Sequence, residues 1–81
     1  SYYIKINNID YDKALLDTVN EAVNGQGDGR ISVNDINNIM NKILDKSIIT
    51  LVEHRTIYYI MNNYNFTEAA LKNFLSLLEK I

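Results

Sequence analysis

One short segment of this chain carries side chains that could bind a metal ion. It reads NGQGDGRISVND, from Asn24 to Asp35, and it places amide, carboxylate and hydroxyl oxygens among three glycines. Oxygen ligands of this kind suit hard divalent cations such as calcium. The same residues also describe an ordinary turn, in which Asp28 hydrogen-bonds to nearby backbone and the glycines take positive φ. The segment alone leaves both interpretations open.

The elements around this segment are predicted to be helices. The sequence contains no proline, and its only three glycines all lie in this one segment, so the rest of the chain is free to be helical. The first helix is predicted at about 11–23, with Asp10 as its N-cap. The second begins after Ser32, which has capping-box spacing with Asp35. Its apolar stripe comprises Val33, Ile36, Ile39, Met40, Ile43 and Leu44.

Two further helices and an extended arm complete the predicted elements. Thr50 and Glu53 have capping-box spacing and open a third helix that ends near Asn63, and a fourth helix follows Thr67. Residues 1–9 are predicted to form a short extended arm without a partner strand, which packs on the helices or belongs to a neighbouring domain. The buried faces of the third and fourth helices are predicted to comprise Ile57, Ile60, Met61, Tyr64, Leu71, Phe74, Leu75, Leu78 and Ile81.

An internal repeat relates the second helix to the fourth. Residues 31–43, ISVNDINNIMNKI, align with residues 66–78, FTEAALKNFLSLL. A cap followed by the same apolar spacing occurs in both, and neither copy can bury its stripe alone. The aligned pairs are Ile31 with Phe66, Ser32 with Thr67, Ile36 with Leu71, Ile39 with Phe74, Met40 with Leu75 and Ile43 with Leu78.

The predicted fold class is all-α, with the extended arm at its N-terminus. We expect a single domain over residues 1–81, in which four helices form two helix–loop–helix units packed face to face. The first unit spans residues 10–46 and carries the glycine-containing loop. The second unit spans residues 47–81 and has a shorter loop.

The residues GDGRIS, placed between two helices, resemble the calcium loop of an EF-hand. The resemblance implies side-chain ligands at the first, third and fifth loop positions, a backbone carbonyl at the seventh, a water at the ninth and a bidentate carboxylate at the twelfth. It also implies that Gly29 is the turn glycine and that Ile31 pairs with Phe66 in a short bridge between loops. On this chain the six ligand positions fall on Asn24, Gln26, Asp28, Arg30, Ser32 and Asp35.

The loop departs from that pattern mainly in its charge. Asp28 and Asp35 are its only carboxylates, Asp35 is one methylene shorter than the usual glutamate, and Arg30 adds a positive charge. Calcium favours about six to eight oxygens, several of them charged. We therefore expect weak calcium binding or none, with magnesium as an alternative. The second unit is expected to bind no metal, because Ala70 replaces the counterpart of Asp35 and its short loop offers only asparagines.

A weaker resemblance links the run GDGRISVNDINNIMNKIL to a dockerin repeat, whose calcium loop closes with aspartate and continues into one helix. That resemblance implies docking onto a cohesin domain of extracellular polysaccharide-degrading complexes. Dockerins carry two such loops, and each usually opens with aspartate. Here Asn24 opens the loop, and the second copy has no such loop.

Composition and charge exclude several function classes. The 81 residues are 47% hydrophobic and suit one small core. The net charge is −2, and the Lys and Arg residues are scattered, which argues against nucleic acid or an anionic membrane as a partner. No apolar run approaches the roughly 20 residues that span a bilayer. His54 is the only histidine, and no nucleophile has a credible base, so we predict no enzymatic activity.

The predicted function is therefore a non-enzymatic interaction or structural module within a larger protein. Its expected partner is another protein or a neighbouring domain. The competing prediction is a calcium sensor whose helices open when the ion binds. Several tyrosines could form a partner surface or could simply be half-exposed; they are Tyr2, Tyr3, Tyr11, Tyr58 and Tyr59.

Overall fold

The computed structural model describes residues 2–25, 28–45 and 48–80. Over these ranges, a two-stranded antiparallel sheet precedes four helices. The mainly helical character that the sequence predicts is confirmed, and the sheet adds to it. The strands are β1 (Tyr3–Ile6) and β2 (Ile9–Asp12), and the helices are α1 (Lys13–Asn24), α2 (Val33–Ile43), α3 (Leu51–Asn63) and α4 (Glu68–Leu78).

The N-terminal arm forms a hairpin with the residues that follow it, so the prediction of an unpaired arm was wrong. Asn7 and Asn8 make the two-residue turn, with φ angles of 50° and 65°, and Ile6 lies opposite Ile9. Asparagine tolerates this left-handed region better than most residues. Two successive residues with positive φ match the twist of a two-residue hairpin turn. This turn brings β2 back alongside β1, so the arm has a partner strand.

Helix α1 begins two residues later than predicted, because Tyr11 and Asp12 belong to β2. Asp12, and not Asp10, is the N-cap: its Oδ1 accepts a hydrogen bond from the amide of Leu15 at 3.0 Å. Asp10 forms an ion pair with Lys5 across the hairpin, with 3.1 Å between Lys5 Nζ and Asp10 Oδ1. The strand pairing therefore decides which aspartate caps the helix.

The other three helices begin where their capping residues predict. Ser32 and Asp35 form a complete capping box at α2, and Thr50 and Glu53 form another at α3. Thr67 caps α4 with its side chain. Each cap satisfies amides of a first helical turn that have no partner within the helix.

One hydrophobic core joins all of these elements. Helix α1 packs on α2 and α3, α2 also packs on α4, and β2 packs on α3. This arrangement buries a face of each helix in one shared core. The buried apolar residues are Tyr11, Leu15, Leu16, Val19, Ile31, Ile36, Ile39, Met40, Ile43, Ile57, Ile60, Ala70 and Phe74.

The predicted buried face of α4 is correct only in part: Phe74 is buried and Leu78 packs on the core, but the face is rotated toward Ala70. Ala70 and Phe74 are fully buried, whereas Leu71 and Leu75 remain 37% and 42% exposed. In the repeat, Ala70 is the counterpart of Asp35. The second unit thus buries a small apolar side chain where the first unit uses a carboxylate for its cap, and α4 turns its Ala70–Phe74 face inward.

The ends of the other predicted faces also differ from the structure. Val33 and Leu44 were assigned to the buried stripe of α2 but are exposed. Met61 and Tyr64 are only partly buried, although both pack against the core. Ile81 lies outside the described residues. Helical spacing alone therefore predicted more burial than the structure shows at Val33 and Leu44.

Candidate divalent-cation loop

The loop after α1 is anchored at Ile31, which forms a parallel β-bridge with Phe66. The Ile31 amide donates to the carbonyl oxygen of Asn65 at 2.8 Å, and the amide of Thr67 donates to the Ile31 carbonyl oxygen at 3.0 Å. The Ile31 side chain is fully buried, and the Phe66 ring stacks on Phe74 with 5.7 Å between centroids. The predicted pairing of Ile31 with Phe66 is confirmed. Ile31 uses both its amide and its carbonyl in the bridge, whereas the bonding groups on the other side belong to Asn65 and Thr67, the neighbours of Phe66.

The Asp28 carboxylate is bound by Arg30. Its Oδ1 accepts from the Arg30 amide at 3.1 Å, and its Oδ2 accepts from Arg30 Nε at 2.7 Å and lies 2.6 Å from Arg30 Nη2. The side-chain hydrogen bond from Arg30 and then its backbone bond hold the pKa of Asp28 below its ordinary value. Both side chains are exposed. This is the turn chemistry that the sequence offered as the alternative to metal binding.

The Asp35 carboxylate belongs to the cap of α2. Its Oδ2 accepts hydrogen bonds from the amide and from the hydroxyl of Ser32, each at 2.9 Å. The Ser32 oxygen in turn accepts from the Asp35 amide at 3.3 Å. Ser32 and Asp35 are therefore in direct contact, as the capping box predicts, and a cation at this position would share a carboxylate with the helix cap.

Of the two remaining predicted ligands, Asn24 and Gln26, only Asn24 is among the described residues. Asn24 is the last residue of α1 and is exposed, whereas Gln26 lies outside the described residues. Gly29 has a φ of 79°, the left-handed conformation expected of the turn glycine. The structure brings Asp28 to Arg30 and Ser32 to Asp35, as two separate pairs.

The residues fit a hard cation by type but supply little charge. All the predicted ligands are oxygen atoms, which calcium and magnesium prefer, yet Asp28 and Asp35 are the only charged ones. Within residues 2–25, 28–45 and 48–80, no three His, Cys, Asp or Glu side chains form a group that could hold a metal ion. A cation would bind mainly through neutral oxygens and water, and would compete with Arg30 for Asp28.

Sequence reasoning missed a buried polar contact between α3 and the hairpin. Thr56 is fully buried; its Oγ1 accepts from the amide of Asp12 at 2.8 Å and donates to the carbonyl oxygen of Val52 at 2.7 Å. Arg55 Nη1 donates to the carbonyl oxygen of Asp10 at 2.8 Å. Side chains of α3 thus bond to the outer edge of β2, which blocks further strand pairing there. With the hairpin in place, Arg55 and Thr56 are two adjacent residues of α3 whose side chains bond to the backbone of β2.

An apolar groove of about 370 Å³ lies between α3 and α4. Tyr58 and Leu75 are its most exposed apolar residues, at 64% and 42%. His54 and Glu79 add polar groups to its lining, and His54 is exposed. Ile57, Met61 and Leu78 complete the groove.

The predicted tyrosine surface is divided in the structure. Tyr2 and Tyr58 are exposed, but Tyr11 is buried and its ring centroid lies 4.7 Å from that of Tyr59. Tyr59 also contacts Tyr64, whose hydroxyl donates a hydrogen bond to Asn20 Oδ1. Burial is the main cause that raises the pKa of Tyr64. Part of the tyrosine set therefore holds β2, α1 and α3 together, and only part of it faces solvent.

Three comparisons with known proteins found no match to this chain. No protein-family model matches the chain, no curated protein matches it, and no solved structure matches its fold. Over the described residues, each helix is too short or too polar to cross a membrane.

Proposed function

We propose that this chain is a non-enzymatic interaction or structural module whose loop, residues 24–35, binds divalent cations weakly. The observation that carries the proposal is the anchoring of this loop at Ile31. Its backbone bonds to the segment before α4 and its burial in the core hold the loop in place with groups of the protein itself. The main role of the loop is therefore structural: it connects α1 to α2 and is bonded to the segment before α4.

Weak cation binding follows from the state of the two carboxylates. Asp28 accepts hydrogen bonds from Arg30, and Asp35 accepts them from Ser32. A cation must displace or share these donors, and it gains few charges in return. Calcium sites of low charge bind with dissociation constants of roughly 10⁻⁴ M or weaker. Calcium is the first candidate ion, and magnesium, which keeps more of its water, is the alternative.

The core supports a structural role that does not depend on a metal. Ile36, Ile39 and Phe74 are fully buried, and α2 and α4 pack together. Among the described residues, no buried side-chain oxygen or nitrogen lacks a hydrogen-bond partner. A core packed in this way has no polar vacancy that only a cation could fill. The exposed apolar groove between α3 and α4 supports an interaction role, since such surfaces often mark contacts with other proteins.

An amide-resolved NMR titration tests this proposal against a calcium sensor. Calcium, then magnesium, is added to the whole chain, with a chelator-treated sample as reference. We expect fast-exchanging shifts confined to residues 24–35, because a low-charge site cannot strongly favour one helix arrangement over another. Shifts that spread through α3 and α4, together with binding of a hydrophobic dye only in calcium, would replace this proposal with a sensor. No shifts with either ion would remove the cation-binding part.

A further inference from the structure

The last helical residue of α1 and its successor form an Asn–Gly pair. Asn24 is the only asparagine in the sequence that is followed by glycine. Both Asn24 and Gly25 are exposed. Because glycine has no Cβ, its amide nitrogen is unusually accessible to the preceding side chain.

The end of α1 is bonded less well than the ends of the other helices. Leu44, Tyr64 and Glu79 follow α2, α3 and α4, and each donates its amide to the carbonyl oxygen four residues earlier. Within the described ranges, no corresponding hydrogen bond of good geometry leaves the amide of Gly25. Gly25 has turned to an extended conformation, with φ of −77° and ψ of −152°. Helix ends of this kind open at little free-energy cost.

We infer that Asn24 is a site of spontaneous deamidation, through attack of the Gly25 amide nitrogen on the side-chain carbonyl carbon of Asn24. The Gly25 nitrogen loses its proton and forms a bond to Asn24 Cγ, and the side-chain amide leaves as ammonia. The product is a five-membered succinimide. Water then opens the ring at one of its two carbonyls, which gives aspartate or isoaspartate. No oxidant, metal or enzyme takes part in this sequence of steps.

Opening of the last turn of α1 is the step that the structure makes easy. The helical conformation of Asn24 keeps its side chain away from the next amide nitrogen, so the attack needs this residue to leave the helix. The missing hydrogen bond from Gly25 and the exposure of both residues favour that movement. The nearest fully buried residue of α1 is Val19, more than one helical turn away, and Val23 packs on the core while only partly buried.

The aspartate–glycine pair of the loop, Asp28-Gly29, is protected by contrast. The Asp28 carboxylate accepts hydrogen bonds from Arg30, which keep it ionised, and an ionised carboxylate resists attack by an amide nitrogen. Ring formation at Asp28 would also produce no net change of mass once water had reopened the ring. The two sites can therefore be distinguished by mass.

The consequence for the loop rests on the proposed cation function. The aspartate product places a third carboxylate at the first ligand position, so the site gains charge without a change in chain length. The isoaspartate product inserts an extra methylene into the main chain and shifts the following residues. We therefore expect the aspartate form to bind calcium more tightly than the original chain and the isoaspartate form to bind it less well.

Peptide mapping by mass spectrometry tests the inference on the intact chain. The protein is held in mildly alkaline buffer and then digested with trypsin, which releases residues 14–30 as one peptide. This peptide also contains Asn20 and Gln26, and fragment ions separate both side-chain amides from that of Asn24. Asn20 is the internal control. We expect a gain of one mass unit at Asn24 that increases with time, with Asn20 unchanged. An Asn24 that stays intact while the chain is folded would overturn the inference.

Gly25→Ala is the matched control variant. A Cβ at Gly25 would lie 3.4 Å from the carbonyl oxygen of Glu21 and 3.7 Å from that of Ala22, which are ordinary contacts, so the variant should fold. Circular dichroism checks this, and Asn24→Gln is a second variant in which the longer side chain disfavours the five-membered ring. Loss of most of the mass gain in both variants supports attack by Gly25. An equal gain in Gly25→Ala would contradict it.

Calcium calorimetry on the fresh protein, the aged protein and Asn24→Asp separates this inference from the proposed function. Tighter binding by Asn24→Asp and by the aspartate fraction of the aged protein would support both. If the mass gain occurs but none of the three samples binds calcium, the deamidation site stands and the proposed cation binding fails.

Discussion

Arg30 contacts the carboxylate of Asp28 with its amide, its Nε and its Nη2, all between 2.6 and 3.1 Å. The loop therefore carries its own cation beside one of its two carboxylates. A divalent ion that entered the loop would compete with a guanidinium that already contacts Asp28.

Calcium affinity should increase when the charge of the loop becomes more negative. For the unmodified chain we expect a dissociation constant of roughly 10⁻⁴ M or weaker. Asn24→Asp should tighten binding because it adds a charged ligand, and Arg30→Gln should tighten it because it releases Asp28. Calorimetry measures each change, with Lys80→Gln as a surface control of equal charge change. Micromolar binding by the original chain would contradict the prediction.

The titration of Asp28 should depend on Arg30. The guanidinium holds the folded pKa of Asp28 below its unfolded value, so the favourable contact is present above the unfolded pKa and is lost as the pH falls through the folded pKa. Carboxyl-carbon NMR should show the Asp28 midpoint rising toward its ordinary value in Arg30→Gln. Lys80→Gln removes a positive charge elsewhere on the surface and serves as the control, in which the Asp28 midpoint should stay where it is. An unchanged Asp28 midpoint would mean that the pair does not form in solution.

The stability of the fold should depend on its core and not on metal. Phe74→Ala should lower the free energy of unfolding by about 3–5 kcal/mol, and Ile39→Ala by about 2–5 kcal/mol, because both side chains are fully buried. Leu75→Ala is the matched control on α4 and should cost much less, because Leu75 is 42% exposed. Urea denaturation measures these changes. Chelator should leave the melting temperature almost unchanged, and a large drop would show that the loop holds metal tightly.

The Thr56 hydroxyl should be needed to hold the hairpin on α3. Thr56→Val keeps the volume of the side chain but leaves the Asp12 amide without its acceptor, which should cost about 1–3 kcal/mol. Thr56→Ser keeps the hydroxyl and should cost less. Hydrogen exchange at the amides of β2 gives a local measure of the same contact. Equal stability of the valine and serine variants would mean that this hydrogen bond contributes little.

Part of the loop could be predicted from the sequence because its chemistry is local. The Ser32–Asp35 capping box, the left-handed Gly29 and the Asp28 turn each depend on residues within a few positions of one another. The pairing of Ile31 with Phe66 was implied by the resemblance of the loop to that of an EF-hand, and the repeat identified Phe66 as the counterpart of Ile31. In caps and turns, a side chain hydrogen-bonds to backbone groups only two or three residues away. These bonds depend little on the rest of the chain.

The tertiary structure alone decided the hairpin, the start of α1 and the buried face of α4. Asp10 and Asp12 are equally good caps in isolation, and the pairing of β1 with β2 selects Asp12. Helical spacing places Leu71 and Phe74 on one plausible face of α4, and packing on α2 selects the face that contains Ala70. A single chain offers several amphipathic solutions of similar free energy. The helix face that is buried is the one against which neighbouring elements pack closely. Those elements are distant in sequence, so local patterns do not identify that face.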